Sequence, residues 1–401
     1  MKSPGVVRES LVSARDLYQF ATDRRGPASH HRKDPAALAT VRTDGLGDLI
    51  LWMPAAAMLR EAFGDARQVL IVRKEWADLC EAVGLWDEVV GIDTRGMRTT
   101  PAVRDRELAR LDSQPCEAIL NPMAHMYFSD GEAVVRRLTA TRRVGVRLSG
   151  WGWRGHLRDR LYDDLLDPSG SDWHFDRNRE LADEAARLIQ PDRVAMKAVD
   201  GHPLRALGER LTGAEQGAHP AGDARYVALF TRTGLTRRNP DPSLLGQVVR
   251  RLLAETDRHV VVLDSAPGAI LAESFEGERR VNHVQTDSLV EIVRIVSLAD
   301  LVIGGDSGGS HMAAALGRPT IVVLGGGHHG RFFPYGESWP GPVPHVLDHP
   351  MECFGCDWQC TVAPDGDGSF PCIQKIGADA LWERVLPLLA CIPSPATHSA
   401  T

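Results

Sequence analysis

Four stretches of this sequence hold residue types that can do chemistry. The first is Arg42-Thr43-Asp44-Gly45-Leu46-Gly47-Asp48, directly after an apolar run. Its two glycines make a turn that lets backbone approach a ligand. Asp48 stands at the start of a helix. It reads equally as the helix N-cap, a favoured place for Asp, and as a general base aimed into a cleft. The stretch is not a GxGxxG motif, and it lacks the lysine of a phosphate-gripping P-loop. The second stretch is Gly304-Gly305-Asp306-Ser307-Gly308-Gly309-Ser310-His311, between an apolar run and a helical one. Small residues there expose amide N–H groups at a helix N-terminus, which suits a diphosphate. An ordinary capped turn is the simpler alternative; four glycines beside Asp306 and Ser307 favour the anion.

The third stretch runs Thr231-Arg-Thr-Gly-Leu-Thr-Arg237-Arg238-Asn-Pro240. Arg237 and Arg238 are either forked donors for phosphate oxygens or two solvated arginines. The fourth is Cys353-Phe-Gly-Cys356-Asp-Trp-Gln-Cys360, with Cys372 after eleven residues. Four thiolates can complete a tetrahedron around Zn²⁺ or iron. Such a site leaves no open position, so its role would be structural; four reduced thiols in a loop are the alternative. Cys80, Cys116 and Cys391 are scattered and read as small buried hydrophobes.

Elements must hold these stretches in place. Apolar runs predict strands at 37–42, 68–72, 88–92, 118–121 and 142–146. Helical spacing appears at 49–63, 76–83 and 178–189. A second series has strands at 226–230, 259–263, 301–303 and 319–324, with a turn at 264–268. Its helices fall at 243–255, 289–298, 310–316 and 378–389. Strands separated by helices argue for parallel sheets. The expected fold is therefore α/β, with two Rossmann-like domains facing across a cleft. The expected boundaries are an extension over 1–35, in which 1–20 could form one helix, a first domain over 36–205, a linker over 206–224, a second domain over 225–390 including the cysteine segment 351–375, and a tail over 391–401.

The chain has 401 residues, 43% hydrophobic and 25% charged, with net charge −7. That composition excludes disordered, collagen-like and disulfide-scaffold classes. A negative balance gives no basic field for nucleic acid. No run of about 18 apolar residues predicts a membrane span. The polar stretch 1–20 does not read as a secretory signal, so a reducing, cytoplasmic setting is expected.

Arg42-Thr-Asp-Gly-Leu-Gly-Asp48-Leu-Ile-Leu-Trp-Met-Pro54 resembles the opening motif of glycosyltransferase family 9, the ADP-heptose:lipopolysaccharide heptosyltransferases. Ser288-Leu-Val-Glu291 through Ala299-Asp300, Gly305-Asp-Ser-Gly-Gly-Ser-His311, Ala313-Ala-Ala-Leu-Gly-Arg-Pro319 and Leu324-Gly325 resemble its second-domain signature. Arg142-Arg-Val-Gly145 and His174-Phe-Asp-Arg177-Asn178 are also similar to family positions. The resemblance implies a GT-B fold and inverting, metal-independent transfer from an ADP-sugar. It implies Asp48 as general base, Asp306, Ser307, Gly308 and Gly309 as the diphosphate and sugar loop, and His311 at the start of the following helix. Asp44, Gly45 and Gly47 would shape the cleft loop. A basic residue that is lysine in some members falls on Arg237 or Arg238. No Asp-x-Asp metal motif lies near these turns, in keeping with chemistry that needs no Mg²⁺. The cysteine cluster resembles the finger of the protein-modifying autotransporter heptosyltransferases, a branch with structural iron. The acceptor stays open between a lipopolysaccharide core, a protein serine and a natural-product aglycone. Two other functions compete: a non-catalytic nucleotide-sugar-binding protein and a UDP-sugar epimerase of the same fold.

Overall fold

The computed structural model describes residues 36–124, 130–148, 152–167, 170–191, 200–213, 220–222, 224–263, 270–362 and 368–391. The expected extension over 1–35, the turn at 264–268 and residues 392–401 of the tail lie outside them. The chain forms two compact units. The first holds residues 1–45, 52–171 and 176–199. The second holds 46–51, 172–175 and 200–401.

The first unit is built on six strands: β1 Ala36–Arg42, β2 Gln68–Arg73, β3 Glu88–Ile92, β4 Cys116–Asn121, β5 Ala140–Val146 and β6 Asp164–Leu166. They pair in the order β3-β2-β1-β4-β5-β6, every pair parallel. Runs such as Val69–Val72 are buried throughout, as parallel strands covered on both faces must be. Val41, Ile71 and Ile119 pack on one side with Val134 and Leu138. Leu38, Leu120 and Val144 pack on the other with Trp52, Leu59 and Phe63.

The second unit repeats the plan with β7 Tyr226–Phe230, β8 His259–Leu263, β9 Val281–Val284, β10 Leu301–Gly305, β11 Thr320–Leu324 and β12 His345–Asp348. Its order is β12-β11-β10-β7-β8-β9, again parallel. Read from the other edge, the two sheets share the doubly wound order, which reverses direction between β1 and β4 and between β7 and β10. In such sheets ligands bind at the carboxyl ends of the strands at that reversal. The 231–240 and 306–309 stretches leave the ends of β7 and β10. The α/β, doubly wound expectation is met by each unit.

Three strands escaped the sequence reading: β6, β9 and β12. Each lies at a sheet edge, and β9 (Val-Asn-His-Val) is nowhere fully buried. Helices Thr94–Thr99, Pro101–Arg110, Asp130–Arg137 and Trp153–Asp159 also escaped it; all are rich in arginine. Residues 206–213, expected as linker, continue a helix over Pro203–Gly213. That helix packs on Leu289–Leu298.

Candidate active site

The turn after β1 leads into the helix Leu46–Phe63. Gly45, not Asp48, is its N-cap, and no side chain caps it. Asp48 lies within the first turn, so the N-cap reading is corrected. There its negative charge still meets the positive end of the helix dipole. Asp44 serves the turn: its Oδ2 pairs with Arg42 at 2.9 Å, both side chains buried. The Arg42 guanidinium lies 5.2 Å from the Trp52 ring centroid. The Asp44 carbonyl accepts the Trp76 indole N–H at 3.3 Å.

Asp48 belongs with the second unit. Its Oδ1 lies 3.5 Å from His174 Nδ1, with about a quarter of its side chain exposed. Gly47 is there for space: a Cβ would stand 2.7 Å from His311 Cδ2. A Cβ on Gly308 would likewise stand 2.8 Å from Leu46. The two glycine turns therefore touch.

The second turn ends β10 and opens the helix Gly308–Ala315, with Ser307 as N-cap. The Ser307 hydroxyl makes no cap hydrogen bond. It is buried and lacks a partner, as do Asp306 Oδ2 and the Nε atoms of Arg237 and Arg238. Buried polar atoms are nearly always paired in folded proteins. These four atoms belong to the predicted donor-binding residues; others lie elsewhere among the described residues, on Trp52, Arg318 and Trp382 among them. Ser310 faces inward instead and donates to the Gly305 carbonyl at 2.7 Å. Gly309 admits the Phe230 ring, 2.5 Å from where its Cβ would be.

Burial pushes the Asp306 carboxyl up to about 6; Arg238 opposes this and Asp48 adds to it. Burial drives His311 down to about 3, so the ring is neutral. It stacks on Phe333 at 4.4 Å between centroids. Its Nδ1 lies 2.6 Å from Tyr335 Oη, a phenol held well above its ordinary range by burial. With that O–H donating, the imidazole proton sits on Nε2, 3.8 Å from Asp306 Oδ1.

The two arginines part company. The Arg237 guanidinium lies 4.9 Å from the Phe370 ring centroid. Arg238 lies over Trp358 at 5.3 Å, and its charge is felt at Asp306. Both sit on a short helical turn, Thr236–Arg238.

The cysteines depart from expectation. Among the described residues no three His, Cys, Asp or Glu side chains are arranged to hold one metal ion. Cys353, Cys356 and Cys360 are half-buried thiols, and Cys372 is buried. Cys372 Sγ accepts the Gly326 N–H at 3.4 Å. Burial raises its thiol, and the thiols of Cys360 and Cys353 add to the rise. Aromatic side chains fill the segment instead: Trp358 and Phe354 lie where Cβ atoms on Gly325, Gly326 and Gly327 would be. Cys80 and Cys116 are buried as expected, whereas Cys391 is exposed at the end of the last helix.

Sequence reasoning gave no role to Arg331, Tyr335, Phe333 or Trp358, and quoted His174 only within a motif. Arg331 Nε donates to His174 Nε2 at 2.9 Å. No local spacing carries such a pair, because 157 residues separate the partners.

Residues 248–341 match the family model of glycosyltransferase family 9 (heptosyltransferase). No curated protein matches the chain. Among solved structures, the chain is similar to the E. coli heptosyltransferase WaaC with ADP-2-deoxy-2-fluoro heptose. The identity is 18%, over 87% of this chain and 99% of that one, with a TM-score of 0.64. E. coli ADP-heptose lps heptosyltransferase II matches at 14% identity, over 88% and 98%, with 0.58. The iron-containing heptosyltransferase TibC from enterotoxigenic E. coli, in complex with ADP-D-beta-D-heptose, matches at 15%, over 89% and 77%, with 0.51. Among the described residues no helix is long and apolar enough to cross a membrane. Within the second unit, residues 248–341 thus match the glycosyltransferase family 9 model, and the chain's α/β fold is the GT-B fold of these heptosyltransferases.

Proposed function

We propose that this chain moves a heptose, or a closely related sugar, from an ADP-sugar to an acceptor hydroxyl or amine, with inversion at the anomeric carbon. The observation that carries the reading is the meeting of two turns. Asp48 reaches the surroundings of Asp306 closely enough to raise its carboxyl, and Gly47 and Gly308 make that approach possible.

In this reaction the acceptor's lone pair attacks the anomeric carbon while Asp48 takes its proton. General base assistance of this kind contributes about 10²–10⁴-fold. The bond from that carbon to the diphosphate breaks, and ADP leaves with the electron pair. The amides of Ser307 to Gly309 and the guanidinium of Arg238 meet the growing charge, worth about 3 kcal/mol for each donor removed. Asp306 accepts a sugar hydroxyl on its orphan oxygen. Arg237, stacked on Phe370, braces the loop. Cationic side chains take the place of Mg²⁺, so turnover persists in EDTA. The seven unpaired thiols suit a reducing, cytoplasmic setting.

The test is ADP release from ADP-heptose by purified protein, read by mass spectrometry with candidate acceptors from the three classes above. Asp48→Ala should keep ADP-sugar binding and lose turnover by about 10²-fold or more. Undiminished turnover in that variant rejects the base assignment. For the cysteine segment we propose a structural iron or zinc only if Cys353, Cys356 and Cys360 draw in on Cys372. About one metal per chain, lost in Cys372→Ser, is the expected signature of such a site. Purified protein free of both metals removes it.

A further inference from the structure

Arg331, His174 and Asp48 stand in line within the second unit. Arg331 Nε donates to His174 Nε2 at 2.9 Å, and His174 Nδ1 faces Asp48 Oδ1 at 3.5 Å. The imidazole is fixed from other sides too. The backbone N–H of His174 donates to the Arg331 carbonyl at 2.9 Å. The ring lies against Phe332, with centroids 4.4 Å apart. The Trp173 indole N–H donates to the Phe332 carbonyl at 3.3 Å.

A guanidinium offers only donors and keeps its charge in proteins. The nitrogen it bonds must present a lone pair. The hydrogen bond on one ring nitrogen thereby decides the proton on the other. The proton of His174 is on Nδ1, the nitrogen that faces Asp48. We propose that Arg331 locks His174 as its Nδ1–H tautomer and that His174 is the positioning residue for Asp48. It gives one carboxylate oxygen a donor and fixes the carboxylate's rotation. At 3.5 Å the contact is longer than a hydrogen bond. Catalytic contacts are often long before substrate arrives and tighten in the complex. The lock needs only the geometry; the positioning role rests on the reaction proposed above.

Among the described residues, the charged and titratable groups around the ring include Arg331 at Nε2, Asp48 at Nδ1 and His311, whose own ring feels His174. Behind Arg331 stands Asp357, 4.0 Å from its Nη1, and His328 lies across Phe332. Arg331 bonds Nε2 through a group that cannot release its proton.

Two measurements on the full-length chain test this. In ¹⁵N-histidine NMR at pH 8, with His174 assigned from His174→Asn, the ring should be protonated on Nδ1 alone. In Arg331→Met the Nε2–H tautomer of the same ring should appear. An Nε2–H tautomer in the unaltered protein, or the same tautomer population in both proteins, overturns the lock. The second measurement is ADP release from ADP-heptose. Supporting hydrogen bonds typically carry about 10- to 100-fold. His174→Ala and His174→Gln should lose that much kcat, with KM for ADP-heptose nearly unchanged. The acid limb of the pH profile should move upward, because Asp48 loses a donor. His174→Asn, whose amide N–H stands near the Nδ1 position, should recover most of the rate. A His174→Gln variant as fast as the unaltered protein ends the positioning role and leaves the reaction standing. No ADP release from the unaltered protein, with the tautomer as described, ends the reaction and leaves the lock standing.

Discussion

Asp306 and His311 hold opposite protonation debts. Asp306 rises to about 6 in the folded protein from about 3.9 unfolded. Between those values the folded state binds more protons, so its contribution makes stability fall as pH rises. His311 falls to about 3 from about 6.5 unfolded. Between those values the unfolded state binds more protons, so its contribution makes stability rise with pH. The histidine's window is wider and contains the other. Urea unfolding of Asp306→Asn should show extra stability above pH 6, on the order of 2 kcal/mol, together with lost turnover. Unfolding midpoints unchanged at pH 7 would contradict a buried, orphaned carboxylate. His311→Gln should lose the acid-side decline between about pH 6 and 4. Asp48 was legible as a residue that could do chemistry. Its surroundings were not, because His174 and His311 reach it from distant parts of the chain.

The elements were read best where burial dictates composition. Strands such as Val69–Val72 and Ile321–Leu324 lie in sheet interiors, and only apolar residues serve there. β9 and β12 need bury little at an edge, so polar residues left no alternating signal. The helix Pro101–Arg110 is half charged, with only Arg104, Glu107 and Leu108 buried, and its periodicity is too faint to stand out. At the helix Leu46–Phe63 the sequence placed the start three residues late, at Leu49, and offered Asp48 as one candidate cap. Asp is favoured as an N-cap, but here Gly45 takes that place, and Gly47 within the first turn leaves room for His311. Gly47→Ala tests the point. His311 is held by Tyr335 and Phe333 and cannot yield, so the variant should lose about 1–3 kcal/mol by thermal unfolding. Gly377→Ala is the control: it caps the start of the helix Ala378–Ala390, and nothing lies within 4 Å of its Cβ position. It should fall within about 0.5 kcal/mol of the parent. Equal losses in the two would detach Gly47 from any steric role.

At the scale of the molecule, each six-stranded sheet carries its own core, and the shared strand order was foreseen as two Rossmann-like domains. Their division was not. The sequence suggested one cut in a linker, yet residues 46–51 and 172–175 belong with the second sheet. Neither segment has a compositional border, since each is the first turn or entry of a longer helix. A fragment of residues 200–401 should therefore lack a complete site. In it, NMR should show His311 titrating closer to the ordinary value of about 6.5, because Gly47 no longer covers the ring. A ring that stays neutral down to pH 4 in the fragment would show the two segments to be dispensable. The same division constrains heredity. A crossover near residue 200 passes on the glycine turn at 306–309 without the carboxylate and imidazole encoded some 130 to 260 positions upstream. Hybrids of related genes joined there would inherit mismatched halves of one reaction centre, so variation at 46–51, 172–175 and 306–335 has to be transmitted together.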